Sequence, residues 1–596
     1  LAFRCKNNMK KLLLVISFLF CGLANAADPA AVCASTRTSG AAPLGIVFDG
    51  TGSSGPTNPF HNLLFTWNFG DTGAGDFSYG AKTASKNGAT GAVAGHVYET
   101  PGTYTARLRV SNGTLSNTCT ITITVTNPDT VFASTATVCF YNTTVGTGCP
   151  SGATQTQSSD FDAAISSCMG ATKRCLFKRG DTFASSTTAN ITSAGPNYVG
   201  AYGSGAKPVI TSTNVAGVVS VTNAAVNDLR IADLDIRGSG SSDTGKCASY
   251  GASASNITML RVECSGIGGL TLSAGSSPAN WAICTGCILQ DSVSPSGLYF
   301  VGFSSALIGN SFGPARASDE HSTRIQRCQK CAISNNTMNE TTDSTKHSLT
   351  LRADPQTTTT EDTFYTIVSN NRIIGSTGQV LPVTVSPSAD SEDARMYDVI
   401  IEGNWLTSSY SGAGSLALMN VKSGTRMTVR NNLFDLGTGG TGTKDALWII
   451  KPHDAVYPVP TDVVVNNNTM YSGGGAIQMT GITFDAENVT ATAKNNLCYF
   501  PTATGTVRCL LDQATGTTAS GNSSDAETTG TSPAFDGPLT EPKGFRISKS
   551  SYAATGGTAT FPASNDDFFN CDDVTANEHI GAMVPRARAT CRGVKP

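Results

Sequence analysis

The sequence predicts an all-β protein in two parts, a small antiparallel sandwich followed by a long solenoid of short strands. Three observations predict it. Charged residues make up only 14% of the 596-residue chain, against roughly 25% in an ordinary soluble protein, while Gly (62) and Pro (25) are abundant. Residues 33–127 alternate apolar and polar side chains in short runs divided by turn signals. Further along, one Asn-containing motif recurs at intervals of 26 to 36 residues.

The composition also excludes classes of function. With 40 Lys plus Arg against 43 Asp plus Glu, the formal charge is −3, so no basic excess is available to neutralise nucleic-acid phosphates. Helical bundles and coiled coils, rich in Ala, Glu, Lys and Leu, do not fit this composition. An apolar content of 39% argues against disorder.

At the start of the chain, Met9 to Ala26 read as an export signal, and residues 1–26 are assigned to leader and signal peptide. Lys10 and Lys11 form the positive region, Leu12 to Leu23 a short apolar core, and Ala24-Asn25-Ala26 the small-x-small cleavage site. The apolar run is too short for a membrane span, and no other segment is long enough, so no span remains after cleavage. The expected location is extracellular or on the cell surface, with the periplasm a further compartment for an exported chain. Losing Cys5 and Cys21 takes 18 cysteines to 16, an even number that suits disulfides in an oxidising compartment. The local pairs are Cys33 with Cys119, Cys139 with Cys149, Cys168 with Cys175, and Cys571 with Cys591. Cys284-x-x-Cys287 and Cys328-x-x-Cys331 have the spacing of zinc ligands. Export, and a separation of two repeats between the pairs, argue for structural disulfides instead.

Residues 27–128 form the sandwich. Its strands include Leu63 to Trp67, Tyr104 to Val110 and Thr120 to Val125. The motifs Trp67-Asn68-Phe69-Gly70-Asp71 and His96 to Tyr104 resemble the polycystic-kidney-disease-type (PKD) immunoglobulin-like domain. That resemblance implies an extracellular spacer or carbohydrate-surface module. It also implies a buried Trp67, a turn at Gly70, and a buried turn network for His96 and Asp71 rather than chemistry.

From about residue 135 the pattern changes. Asp160 is a candidate N-cap for a short helix whose Phe161 and Ile165 lie one turn apart, placed to cover the open end of a stacked β-structure. The solenoid is assigned residues 129–540, with a closing segment at 541–596. Its recurring Asn stand at 310, 336, 371, 404, 432, 468 and 496, after short Val/Ile/Thr runs without helical periodicity. The repeats resemble single-stranded right-handed parallel β-helix proteins of the pectate-lyase-like superfold. Stacked Asn at a coil corner would then hydrogen-bond along the ladder, and are scaffold. The ending Phe568-Phe569-Asn570 and His579-Ile580-Gly581-Ala582 resembles the closing segment of bacterial β-helix proteins.

Against this neutral background one cluster stands out. Asp319 to Arg327 is followed by Lys346 to Asp354, and His321 and His347 are 26 residues apart, as are Asn310 and Asn336. Two such strands stack in register about 4.8 Å apart. Alternation turns Ile325, Leu349, Leu351, His321 and His347 inward, and Glu320, Ser322, Arg324, Lys346, Ser348 and Arg352 outward. Glu320 would lie beside Lys346, and Tyr299 would join the outer column one coil earlier.

A shelf of Arg, Lys, Glu and Tyr suits an acidic polysaccharide or cell-surface glycan and its cleavage by β-elimination. Lys346 or Arg324 would act as base, Arg352 would bind the carboxylate, and Tyr299 would assist the leaving group. His321 and His347 complete the catalytic candidates. Glu320, Arg327, Asp354 and Trp448, the last as a sugar platform, join Arg352 in substrate binding; Trp405 and His453 are further candidates, better explained by packing or a loop role. The superfold resemblance brings calcium into view, but its carboxylates are not found in the sequence, and no metal ligands or cofactor are assigned. A glycoside hydrolase would rest on Asp319, Glu320 and Asp354, without paired Asp on one strand. A non-catalytic adhesin or structural surface protein, with a rigid solenoid and a sandwich spacer, is the other alternative.

Overall fold

The computed structural model describes residues 28–547 apart from 214–216, 239–245, 251–252, 267–268, 273–282, 296, 315–320, 341–344, 354–361, 387–394, 451–458, 476–477, 486–489 and 531. It also describes 551–554, 557, 571–573, 581–582 and 589–591. The leader and signal peptide, Asp319, Glu320, Asp354, His453, Phe568 to Asn570, His579 and Ile580 lie outside the described residues.

Two layers make the sandwich. One sheet runs Ala34–Ser35, Leu44–Asp49, Val93–Tyr98; the other runs Ser39–Ala41, Ser116–Thr126, Gly102–Ser111, Leu64–Asn68, Gly88–Thr90. Trp67 is buried between them and its Nε1–H donates to the Gly91 carbonyl at 3.1 Å. Gly70 takes φ +74, and a Cβ there would meet the Thr105 carbonyl at 2.7 Å. His96 stacks on Phe69 and its Nε2 lies 3.1 Å from Asp71 Oδ2, the buried turn network that the motif implies.

The solenoid opens with the parallel strands Thr137–Tyr141 and Thr154–Gln157, followed by the helix Phe161–Cys168, capped by Asp160, whose Oδ1 accepts the Ala163 N–H at 2.9 Å. Phe161 and Ile165 are buried in the solenoid core and shield its first coils. After it the chain winds as a right-handed parallel β-helix with three faces. Face A holds strands such as Ile288–Gln290, Met396–Glu402 and Thr425–Arg430. Face B is a parallel sheet from Thr182–Ser185 to Leu497–Tyr499. Face C holds Leu298–Phe303, Thr323–Gln329, Leu349–Arg352, Val383–Val385, Leu416–Lys422 and Thr443–Ile450.

The corner between faces A and B explains the recurring Asn. The Nδ2 of Asn310, Asn336, Asn371, Asn404, Asn432 and Asn468 each donates to the Oδ1 of the next Asn, at 2.9–3.0 Å. Asn496 extends the ladder to Asn522 at 2.8 Å. Each Oδ1 so used also accepts the backbone N–H of the Asn before it, so the corner leaves few polar groups unpaired. The preceding residue, Asn335, Asn370, Asn431, Asn467 or Asn495, has φ between 53 and 59, a left-handed conformation that Asn tolerates. Gly309 and Gly403 fill the same place in other coils.

Disulfides join Cys33 to Cys119, Cys139 to Cys149 and Cys168 to Cys175, and each CxxC pair closes on itself. Two further bonds, Cys247 to Cys264 and Cys498 to Cys509, have no counterpart in the sequence reading. Cys571 stands opposite Cys591 in a short antiparallel pair, with their side chains outside the described residues. Within the closing segment, Phe545 and Ala582 pack on Trp405 and Leu433 of face B, along the flank of the solenoid.

The sandwich lies against face A rather than standing off it. Strands Leu44–Asp49 and Val93–Tyr98 pack on the apolar outer column Ile288, Ala306, Ala332, Ile367 and Ile400, forming one continuous core. Ion pairs ring this interface: Lys86 with Asp291 and Lys330 with Asp49, both at 2.7 Å, and Arg37 with Asp228. His61 closes one end, its Nδ1 2.8 Å from Thr428 Oγ1 and its Nε2 3.2 Å from Asp398.

Candidate functional site

Face C carries the ionisable cluster, and the coil register sets its layout. Tyr299 pairs with Arg324, Arg324 with Thr350, Thr350 with Thr384, Thr384 with Asn420, and Asn420 with Trp448. This is the outer column expected from the 26-residue spacing. Two residues further along each strand, Gln326 pairs with Arg352. Continuing the same register from Arg352 reaches Ser386 and then Lys422.

The two histidines precede their strands and stack ring on ring, with centroids 4.8 Å apart and planes within 4°. His321 is buried, and His347 half-buried. The backbone N–H of His347 donates to His321 Nδ1 at 2.9 Å, so His321 carries its proton on Nε2. His347 Nδ1 lies 2.6 Å from the Leu381 carbonyl and must carry a proton to donate, which leaves the lone pair on Nε2. Burial, then His347, Arg352, Arg324 and Lys346, push the His321 pKa down to about 2. Burial, with Arg352, Lys422 and Lys346, pushes His347 down to about 4 against the raising effect of its Leu381 hydrogen bond. Both rings are therefore neutral at ordinary pH, each with one defined tautomer.

The cations surround this pair. The Arg324 guanidinium lies 5.2 Å from the centre of the Tyr299 ring, and the Tyr299 hydroxyl donates to Gln326 Oε1. Arg352 Nε donates to Thr350 Oγ1 at 2.9 Å, which fixes its guanidinium along the strand. Lys422, absent from the sequence reading, is half-buried; burial first and Arg352 second lower its pKa. The signal for it was the register itself, followed through Ser386 across repeats of unequal length. Trp448 is half-buried beside Asn420, and the column runs on from it to Thr483. Asp445, on the same strand as Trp448, has its pKa raised by burial, while its Oδ1 accepts the Thr483 hydroxyl at 2.9 Å.

Two expectations are corrected. Ser322 and Ser348 are fully buried rather than outward, because alternation does not extend into the turns before Thr323 and Leu349; Ser348 Oγ donates to the Ile374 carbonyl at 2.5 Å. Arg327 is buried with φ +51, because its strand bends there from face C toward face A, and it does not stand on the open face. Trp405 is packed, as expected, under the closing segment on face B, with Arg372 4.6 Å from its ring centre. The Glu320–Lys346 contact falls outside the described residues. Among the described residues no three or more His, Cys, Asp or Glu side chains gather as metal ligands.

Residues 26–127 match the PKD domain family. From Thr137 to Ser520 the described strands form a right-handed parallel β-helix. Its likenesses among solved structures include the A-module of a mannuronan C-5 epimerase from Azotobacter vinelandii, at 14% identity and a TM-score of 0.28, covering 61% of this chain and 93% of that one. A family 28 exopolygalacturonase of Yersinia enterocolitica gives 8% identity and a TM-score of 0.28, covering 84% and 98%. The catalytic domain of a GH87 alpha-1,3-glucanase gives 11% and 0.26, covering 83% and 94%. No curated protein matches the chain. Among the described residues no helix is long and apolar enough to cross a membrane.

Proposed function

We propose that the protein is a secreted enzyme that binds an acidic polysaccharide on face C and cleaves it by β-elimination. One observation carries this reading: Arg324, Lys346, Arg352 and Lys422 all act on a stacked pair of neutral histidines of defined tautomer. Arg352 and Arg324 neutralise the uronate carboxylate, which acidifies the adjacent C–H. His347 Nε2 takes that proton, and Lys346 favours the carboxylate-bound state beside it. The electron pair forms the new C=C bond as the bond to the β-oxygen breaks; the Tyr299 hydroxyl turns from Gln326 Oε1 to give its own proton to the departing oxygen, and after product leaves, His347 loses its proton to solvent while Tyr299 regains one. His321 Nε2–H is a fixed donor for a substrate oxygen.

The test is incubation of the mature chain with pectate, alginate and glycosaminoglycans while following the absorbance of the unsaturated product. Turnover that falls at least about a hundredfold in His347→Gln and Lys346→Ala, with folding intact, is the expected result. No product from any acidic glycan, with or without calcium, would sink the lyase. Glycan binding that survives Lys346→Ala and Arg324→Ala without turnover would favour an adhesin.

A further inference from the structure

Beyond the sandwich the outer surface of face A turns polar, and the end of the sandwich stands on it as a wall. Between them is a cleft of about 430 Å³, in the size range of small-ligand sites. One column of its floor runs from Thr428, beneath the wall, through Val464 and Thr492 to Thr518. Four strands stacked at about 4.8 Å make this floor about 14 Å long, enough for a short oligomer laid along the axis. The wall is the short sandwich segment that carries Asn58, His61 and Asn62.

The lining selects among ligands. Arg426 and Arg430 border the cleft, but each is already paired. Arg426 Nε and Nη2 donate to the Asp398 carboxylate at 2.7 and 2.8 Å, and Arg430 Nε donates to Glu402 Oε2 at 2.8 Å. Asp462, also in the lining, is exposed and repels an anion. The floor strands from Thr425–Arg430 to Thr490–Lys494 are hydrogen-bonded on both sides, so they offer no edge to a peptide. What remains is hydroxyl and amide. Thr492 and Thr518 have their Oγ1 atoms 3.1 Å apart, and Asn58 and Asn62 are exposed on the wall. Each of these side chains can donate and accept, as a sugar hydroxyl does, while Val464 and the threonine methyls suit the C–H face of a sugar ring.

The wall is fixed in advance. Burial disfavours the His61 imidazolium, so its Nε2 donates to Asp398 Oδ1 at 3.2 Å while its Nδ1 accepts the Thr428 hydroxyl at 2.8 Å. Arg430 Nη1 also donates to the His61 carbonyl, at 3.0 Å. A ligand entering this cleft therefore has little to reorder. We infer that the cleft is a second glycan site, built jointly by sandwich and solenoid, and that it takes an uncharged oligosaccharide. It lies on face A, apart from the cationic face C, and does not depend on the reading of that face.

Calorimetry of the full-length chain with cellotriose, xylotriose, mannotriose and maltotriose tests this without reference to turnover. At least one should bind with a Kd below about 5 mM. Thr492→Arg should abolish that binding by filling the floor, and so should Thr518→Arg, whose site is exposed and tolerant of a large side chain. Thr492→Val, which removes one hydroxyl, should weaken it about fivefold. Asn58→Gly keeps the left-handed backbone, φ 54, while removing the amide, and should weaken it about threefold. Gln155→Arg, on the exposed first coil, should change nothing. Trigalacturonate in excess should not displace the neutral sugar.

Absence of binding by all four trisaccharides overturns the inference. Binding that is unaltered in folded Thr492→Arg and Thr518→Arg chains also overturns it, as does displacement by trigalacturonate. If a neutral trisaccharide binds here but no acidic glycan is cleaved, the lyase fails while this site stands. If an acidic glycan is cleaved and no neutral trisaccharide binds, the site fails while the lyase stands.

Discussion

The stacked His321 and His347 make stability depend on pH in a defined direction. Unfolded, each takes a proton near pH 6.5; folded, they do so only near 2 and 4. Between those values the unfolded chain holds more protons. Their contribution is whole above about pH 6.5 and declines as pH falls toward the folded values, by about 1.4 kcal/mol per pH unit for each proton. Thermal melts from about pH 7.5 down to about pH 4.5 should show a shallower acid decline in His321→Gln/His347→Gln than in the parent chain. Parallel declines would mean that the rings titrate normally. The same burial predicts that the histidine-dependent acid limb of kcat/KM lies near pH 4, read from a pH–rate profile. The 26-residue interval between these histidines made their stacking readable in advance. Their tautomers were not, because they depend on the His347 backbone N–H and the Leu381 carbonyl, which only the assembled coils bring against the two rings.

Each coil corner is built from a pair of positions with different tasks, and the pairing explains the Asn-Asn doublets. The first residue must accept a left-handed backbone; the second must accept and donate in the same buried place. Asn404 illustrates the second task. Its Oδ1 takes the Asn371 N–H and Nδ2–H at 2.9 and 3.0 Å, and its Nδ2 reaches the Val368 carbonyl and Asn432 Oδ1 at 2.9 and 3.0 Å. Asn404→Leu keeps the volume but strands several buried partners, each worth about 1–3 kcal/mol. Urea unfolding should show a loss of at least about 3 kcal/mol, and a loss below about 1 kcal/mol would refute the ladder as a source of stability. A strict side-chain requirement repeats visibly in sequence, which is why the ladder was predicted from Asn310 to Asn496. Lys422 and the Cys247–Cys264 and Cys498–Cys509 bonds carry no such repetition. Loops of unequal length hide their register until the coils are assembled.

The resemblance to PKD domains implied a spacer, yet the sandwich and solenoid share a core. The outer column of face A changes character along the axis: Ile288, Ala306, Ala332, Ile367 and Ile400 under the sandwich, Thr428 at its edge beneath His61, then Val464, Thr492 and Thr518 beyond it. In sequence those apolar residues look like any others in short Val/Ile runs, so nothing marked them as facing outward. The fit is close enough that small residues are required. A Cβ on Gly95 would stand 2.5 Å from the Ala306 Cβ, and one on Gly91 2.5 Å from Ile367 Cδ1. The sandwich therefore acts as a fixed cover for an apolar stripe that would otherwise be an exposed sheet face. A chain lacking residues 27–128 should elute as aggregate in size exclusion with light scattering, whereas a monomeric solenoid with one cooperative melt would show that the cover is dispensable. In the full chain, Gly95→Val should loosen the docking while leaving both cores filled. Limited proteolysis between residues 127 and 137 should then speed up about tenfold or more, because cleavage follows the population of the undocked state. Unchanged cleavage, with the valine accommodated, would mean that the interface is looser than these contacts require.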